Sequence, residues 1–198
     1  RFLASDGTLQ ETRSYRDLAE RVERQASGLS DQCRPGDRVL LLFPAGTAFI
    51  EAFLACLKAG CIAVPLYPPR NARHWRRIQH VLADAGADLG LCPSDLKERI
   101  VTWAKNEGTS VPHLMAPESL ITSQTTGPQH RSPWLSQDLA LLQYTSGSTD
   151  HPKGVRVSHA NLADNIRLIS EVCRLDSKDV MVSWLPHFHD MGLVQGLL

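Results

Sequence analysis

The sequence has no surplus of charge of either sign. Its 21 Lys and Arg residues balance 21 Asp and Glu residues, so no net field draws the chain to nucleic acid or to an anionic membrane. It has no apolar run approaching the roughly 20 residues that cross a bilayer, which argues against a membrane span, and "RFLASDG" lacks the apolar stretch of a secretory signal. Its five cysteines form no C-x-x-C pair, are odd in number and mostly lie inside apolar runs. A disulfide framework is excluded, and the pattern is that of reduced core thiols in a cytoplasmic protein. With 198 residues, 42% of them apolar, the chain can bury a genuine core and needs no covalent staples. It starts at Arg1 and stops in the apolar run "DMGLVQGLL", so it is expected to be a piece of a longer polypeptide.

What is present is an alternation of helix and strand signals. Ser14 followed by Asp17 forms a capping-box pattern, and Leu18, Val22, Ala26 and Leu29 recur at helical spacing, predicting a helix over 15–29 closed by the turn "RPGD". "RVLLLF", 38–43, is a continuous apolar run of the kind found in strands covered on both faces. "TAFIEAFLACLKAG" reads as a buried helix ending at Gly60, and "CIAVPL" as the next strand, making a βαβ unit. After the loop "YPPRNARHW", the apolar positions Ile78, Val81, Leu82 and Ala85 predict a helix from Arg73 to the stop at Gly86, followed by a short strand "DLGLC". Ser94 is expected to cap a helix over "DLKERIVTWAKNEG", and "SVPHLM" to form a brief strand. The class is α/β, a sheet flanked by helices.

Residues 116–137 turn to Ser, Thr, Gln, Gly and Pro without periodicity and read as a surface connection. It separates a first α/β half, 1–115, from a second half, 138–198. In the second half "LALLQYT" and "GVRVSH" are strand-like, Ser158 caps a helix carrying Leu162, Ile166, Ile169 and Cys173, and "VMVSWLP" reads as one more strand.

Between the first two of those strands lies "TSGSTDHPKG", 145–154. Its glycines let the backbone curl so that successive N–H groups point into a concavity. Thr145, Ser146, Ser148 and Thr149 add hydroxyls, and Lys153 adds a mobile positive charge, a set suited to a polyphosphate. It is not a P-loop, because the lysine is followed by Gly154 rather than Ser or Thr and no helix follows directly. Composition alone favours a solvated hairpin loop with no ligand.

The pattern "QYTSGSTDHPKGV" resembles the phosphate-binding signature of the adenylate-forming superfamily, and "SWLPHFHDMGL" its downstream acyl-pocket motif, in the right order. Within that superfamily the sequence is most similar to fatty acyl-AMP ligases, echoed also by "GDRVLLLFPAG", "CLKAGCIAVPLYPPR" and "RIQHVLADAGA". The resemblance covers nearly the whole chain. It implies the N-terminal part of the adenylate-forming fold and ATP-dependent activation of a fatty acid to acyl-adenylate with release of pyrophosphate. Transfer would follow to the phosphopantetheine thiol of an acyl carrier protein. The alternatives it leaves are an acyl-CoA ligase and a non-catalytic domain that keeps the fold.

By the same resemblance Thr145, Ser146, Ser148 and Thr149 would bond phosphate oxygens, Gly147 and Gly154 would allow close backbone approach, and Lys153 would supply charge as pyrophosphate departs. Trp184, Leu185, Pro186, His189, Met191 and Gly192 would line the acyl side, with His189 near the carboxylate and Gly192 leaving room for the chain. Magnesium is expected on the phosphates with its protein ligand beyond Leu198, so no metal ligand is assigned within this chain. The adenine and ribose contacts and a catalytic lysine are likewise expected beyond it, and these 198 residues alone are expected to be inactive. Asp150 departs from the glycine that many superfamily members carry, and an acidic side chain there should repel phosphate unless it points outward.

Other features have plainer readings. His187, His189 and Asp190 lack the further ligands of a zinc site, and His187 reads as a loop histidine without a role. Arg70, Arg73, Arg76 and Arg77 around Trp75 read as a solvated helix face, with an acidic carrier protein as a weaker option and nucleic acid disfavoured. Ser158 next to His159 lacks a nucleophile elbow and serves as a cap.

Overall fold

The architecture comes from a computed structural model, which describes residues 1–4, 6–121, 135–145 and 153–198. A short antiparallel pair, β1 (Phe2–Leu3) and β2 (Leu9–Glu11), leads into α1 (Tyr15–Ser30). The helix starts where its sequence says it should. The Ser14 hydroxyl accepts from the Asp17 N–H, and the Asp17 carboxylate accepts in return from the Ser14 N–H, which satisfies two of the donors a helix start leaves unpaired.

Next come β3 (Arg38–Leu42), α2 (Thr47–Lys58), β4 (Ile62–Leu66), α3 (Ala72–Ala85), β5 (Leu89–Leu91), α4 (Ser94–Glu107) and β6 (His113–Met115). The chain continues through α5 (Pro117–Ile121), β7 (Leu139–Thr145), β8 (Lys153–Ser158), α6 (His159–Cys173) and a π-helical turn over Met191–Gln195. Six strands form one sheet in the order β6-β5-β3-β4-β7-β8, parallel except for the antiparallel pairing of β8 with β7. Strands from both sequence halves therefore share a single sheet.

Alternation of side chains divides the core into two layers. Val39, Leu41, Ala63 and Leu141 pack with Leu29, Phe49, Phe53, Leu120 and Leu162 from α1, α2, α5 and α6. Leu40, Leu42, Val64 and Leu142 pack with Trp75, Ile78, Val81, Leu96 and Ile100 from α3 and α4. Helices on both faces explain why "RVLLLF" is apolar without interruption: Val39 to Leu42 are all 0% exposed. A buried carboxylate, Glu51 of α2, is compensated by Arg21 Nε at 2.7 Å and by Gln25 Nε2 at 3.2 Å, both from α1.

Three expectations fail. The segment predicted as surface connection begins with α5, which buries Pro117 and Leu120 against α1. Proline at the first helical position hides the helix from a reading that treats it as a breaker. Ser94 is not a cap: the helix begins at Ser94 itself, Pro93 occupies the cap position, and no side chain bonds the free amides. The fixed φ of −57° at Pro93 sets the chain for helix entry instead. Finally, "VMVSWLP" is not a strand. Val180, Val182 and Trp184 are 86%, 73% and 88% exposed, and a strand needs a ladder partner that the described residues do not offer it.

Candidate functional site

In an open parallel sheet the carboxyl ends of the strands are where a ligand can meet several loops at once. Here β3 runs out into 43–46, β4 into Tyr67, and β7 into the decapeptide segment, all at one edge. The segment 183–192 is held against this edge at three points. The Gly46 N–H donates to His187 Nδ1 at 3.4 Å, the Tyr67 ring meets Phe188 edge to face with centroids 5.0 Å apart, and Gln143 Nε2 donates to the Phe188 carbonyl at 3.2 Å.

His187 is therefore more than the idle loop histidine its sequence context implies. It is buried, with Phe49 at 6.0 Å and Phe2 at 6.4 Å between ring centroids. Burial lowers its pKa, which keeps the ring neutral and leaves Nδ1 free to accept. Gln143 was also missed. A long polar side chain in an otherwise apolar strand was the available signal, and its Oε1 is buried without a partner among the described residues.

The motif segment closes on itself. The His189 N–H donates to the Pro186 carbonyl at 3.0 Å and the Leu193 N–H to the His189 carbonyl at 2.8 Å. Asp190 accepts from the Met191 N–H at 2.8 Å and from His189 Nδ1 at 2.5 Å. Those two bonds, the backbone one first, hold its carboxyl below the usual carboxylate range. A Cβ on Gly192 would lie 2.1 Å from the Pro186 carbonyl oxygen. The space that glycine frees on its Cβ side, expected to admit an acyl chain, is taken by the chain's own backbone.

Of the residues expected on the acyl side, Gly192 is buried and Leu185 half-buried, whereas Trp184, Pro186, His189 and Met191 are exposed. His189 turns outward toward Asp190 rather than into the sheet edge, with its side chain 70% exposed.

Of the phosphate-loop residues, Ser146, Gly147, Ser148 and Thr149 lie outside the described residues, as does Asp150. The stems of the loop are described. Thr145 ends β7, Lys153 opens β8, and the two are register partners, followed by Tyr144 and Gly154. Lys153 is exposed and Gly154 half-buried. Among the described residues no group of three His, Cys, Asp or Glu side chains converges as a metal site.

A sheet of this topology, with a hairpin joining its last two strands and an aromatic-buttressed loop beside it, is shared with solved adenylate-forming enzymes. The sequence profile described as "AMP-binding enzyme" matches residues 3–198, and the chain belongs to that family.

Among curated relatives, the medium-chain-fatty-acid--[acyl-carrier-protein] ligase JamA of Moorena producens is 37% identical over 93% of this chain and 32% of its own length. The long-chain-fatty-acid--AMP ligase FadD26 of Mycobacterium marinum is 38% identical over 82% of this chain and 29% of its own. Among solved structures, a fatty acyl-adenylate ligase from Legionella pneumophila in complex with acyl adenylate and pyrophosphate superposes with a TM-score of 0.80. It is 37% identical, over 96% of this chain and 32% of that one. The chain thus spans about a third of the length of the relatives it matches.

Proposed function

We propose that the intact protein activates a fatty acid as its adenylate. A carboxylate oxygen attacks the α-phosphorus of ATP, the bond from that phosphorus to the β-bridging oxygen breaks, and pyrophosphate leaves. The acyl group then passes to the phosphopantetheine thiol of an acyl carrier protein, forming a thioester and releasing AMP. The observation that carries this reading is the convergence of the loops after β3 and β4 and of Gln143 in β7 on the 187–188 segment, at the edge where Lys153 and Gly154 begin β8.

Bringing a carboxylate to a polyphosphate sets two anions together, and the enzyme must offset that repulsion with fixed donors and cations. Thr145, Ser146, Ser148 and Thr149 would bond the β- and γ-phosphate oxygens, Gly147 and Gly154 would let the backbone approach, and the Lys153 ammonium would balance charge growing on the departing pyrophosphate. His189, paired with Asp190, would face the substrate carboxylate after its side chain turns inward. Leu185, Pro186, Trp184, Met191 and Gly192 would border the acyl chain. Magnesium would ride on the phosphates, and the described residues supply no carboxylate cluster to hold it.

The test is fatty-acid-dependent release of pyrophosphate by the intact protein, followed by acyl loading of a carrier protein or of coenzyme A in parallel reactions. Loading of the carrier alone is expected. Lys153→Ala should raise the KM for ATP roughly tenfold or more, as the loss of a charge-assisted phosphate contact implies. Unchanged ATP kinetics in that variant would remove Lys153 from the role.

A further inference from the structure

The strand that carries Lys153 is an edge strand. Among the described residues β8 pairs only with β7, so no described strand lies on its outer side to hold its register or angle. Three residues supply that hold from the face of the sheet. Tyr144 of β7 lies opposite Gly154 of β8, and its ring crosses Gly154 so closely that a Cβ there would be 2.9 Å from the tyrosine Cζ and 3.1 Å from its hydroxyl. The hydroxyl then donates to Asp84 Oδ2 at 2.5 Å, in the last turn of α3. Burial of the phenol and its bond to Asp84 both raise its pKa, so the hydroxyl keeps its proton and remains a donor.

We propose that Tyr144 is a positioning residue for the phosphate-binding hairpin, a strut that ties both stems of the hairpin to α3 through Asp84. This rests on the adenylate-forming reading of the site. It also gives Gly154 a second reason to be glycine, since the ring of Tyr144 occupies the place a side chain would need. The strut acts one residue before Thr145 and one after Lys153, so a change in its length or strength should reach the triphosphate more than the acyl side, where Gln143 keeps its own bond to Phe188.

In the intact protein, Tyr144→Phe removes only the hydroxyl. It should raise the KM for ATP about three- to tenfold, the scale of one lost hydrogen bond, while leaving the KM for the fatty acid within twofold of wild type. Asp84→Ala should do the same. Asp84→Asn, which keeps an acceptor oxygen, should recover most of the loss, and Tyr144→Phe with Asp84→Ala should be no worse than either alone.

Amide hydrogen exchange at 153–158 should be faster in Tyr144→Phe than in wild type. Equal effects on both KM values, no effect on either, or additive single losses would overturn the strut. If the wild-type protein releases no pyrophosphate with any fatty acid, the functional reading fails instead. The strut is then decided by hydrogen exchange alone, and unchanged exchange at 153–158 would refute it.

Discussion

Tyr67 and Phe188 meet ring edge to ring face at 5.0 Å, joining the loop after β4 to the segment that carries the acyl motif. Arg70 extends the stack, its guanidinium carbon 4.8 Å from the centre of the Tyr67 ring. The two stretches whose resemblance points to the fatty acyl-AMP branch, "YPP" and "HDMGL", are thus joined through Phe188, the residue that precedes the second. The proline pair fixes the backbone that presents Tyr67, and Tyr67 in turn fixes Phe188.

Replacing Tyr67 by Ala should therefore loosen the acyl side more than the nucleotide side. An aromatic pair contributes about 0.5–1.5 kcal/mol beyond its buried area. The expected outcome in the intact protein is a several-fold rise in the KM for fatty acid with little change in that for ATP. Equal changes in both would mean that Tyr67 supports the fold and not the site.

Much of the scaffold was legible in the sequence because local signals agreed with the tertiary outcome. The Ser14 capping box, the Ser158 cap, the Gly86 stop and the doubly covered strand 38–42 are all in place. Two of the three failures share a different cause. α5 and the 180–186 segment depend on what lies across from them, Gly28 in one case and no ladder partner among the described residues in the other. Period and composition carry no such information. In the site, the motif stretches could be recognised by resemblance and Gln143 stood out as polar in its strand, but the partners of Gln143 and of Asp84 and the burial of His187 are relations across the sheet that no linear pattern announces.

Gly28→Ala tests the packing that the sequence concealed. A Cβ at this position would lie 2.2 Å from the Leu120 carbonyl oxygen, and backbone cannot yield as a side-chain tip can. The variant should lose about 1–3 kcal/mol of stability, read as a lower urea midpoint, with α5 the first region to lose hydrogen-exchange protection. A midpoint within error of wild type would show that α5 sits elsewhere.

Acidification should weaken the fold between pH 7 and 5. Burial lowers the pKa of His187, and also that of His159, where Asp138 partly opposes the shift. Both groups have folded pKa values below their unfolded value near 6.5. The unfolded chain therefore binds more protons in this window, and stability present above it is lost as pH falls. The urea midpoint should be lower at pH 5.5 than at pH 7.5, and His187→Gln should reduce that difference without abolishing it, because His159 remains. An unaltered pH slope in the variant would mean His187 is solvated.

Thiol chemistry gives a readout of the two core layers independent of any activity. Cys173 is exposed, Cys33 half-buried, and Cys56, Cys61 and Cys92 buried. Burial pushes the Cys92 thiol up to about 12 and raises Cys56 further. Cys61 is raised first by its hydrogen bond with Cys33, which correspondingly lowers Cys33. Only the thiolate attacks an alkylating reagent, so burial protects Cys56, Cys61 and Cys92 twice, by closing access and by disfavouring ionisation. At pH 7.5 Cys173 and Cys33 should be alkylated without unfolding, while Cys56, Cys61 and Cys92 should react only as denaturant opens the sheet. Cys92 belongs to the layer under α3 and α4, and Cys56 and Cys61 to the layer under α1 and α2. If the two faces separate from the sheet in one cooperative event, all three should become reactive at the same denaturant concentration. Early labelling of Cys92 alone would instead identify the α3–α4 face as the first to open, and with it the helix that bears Asp84.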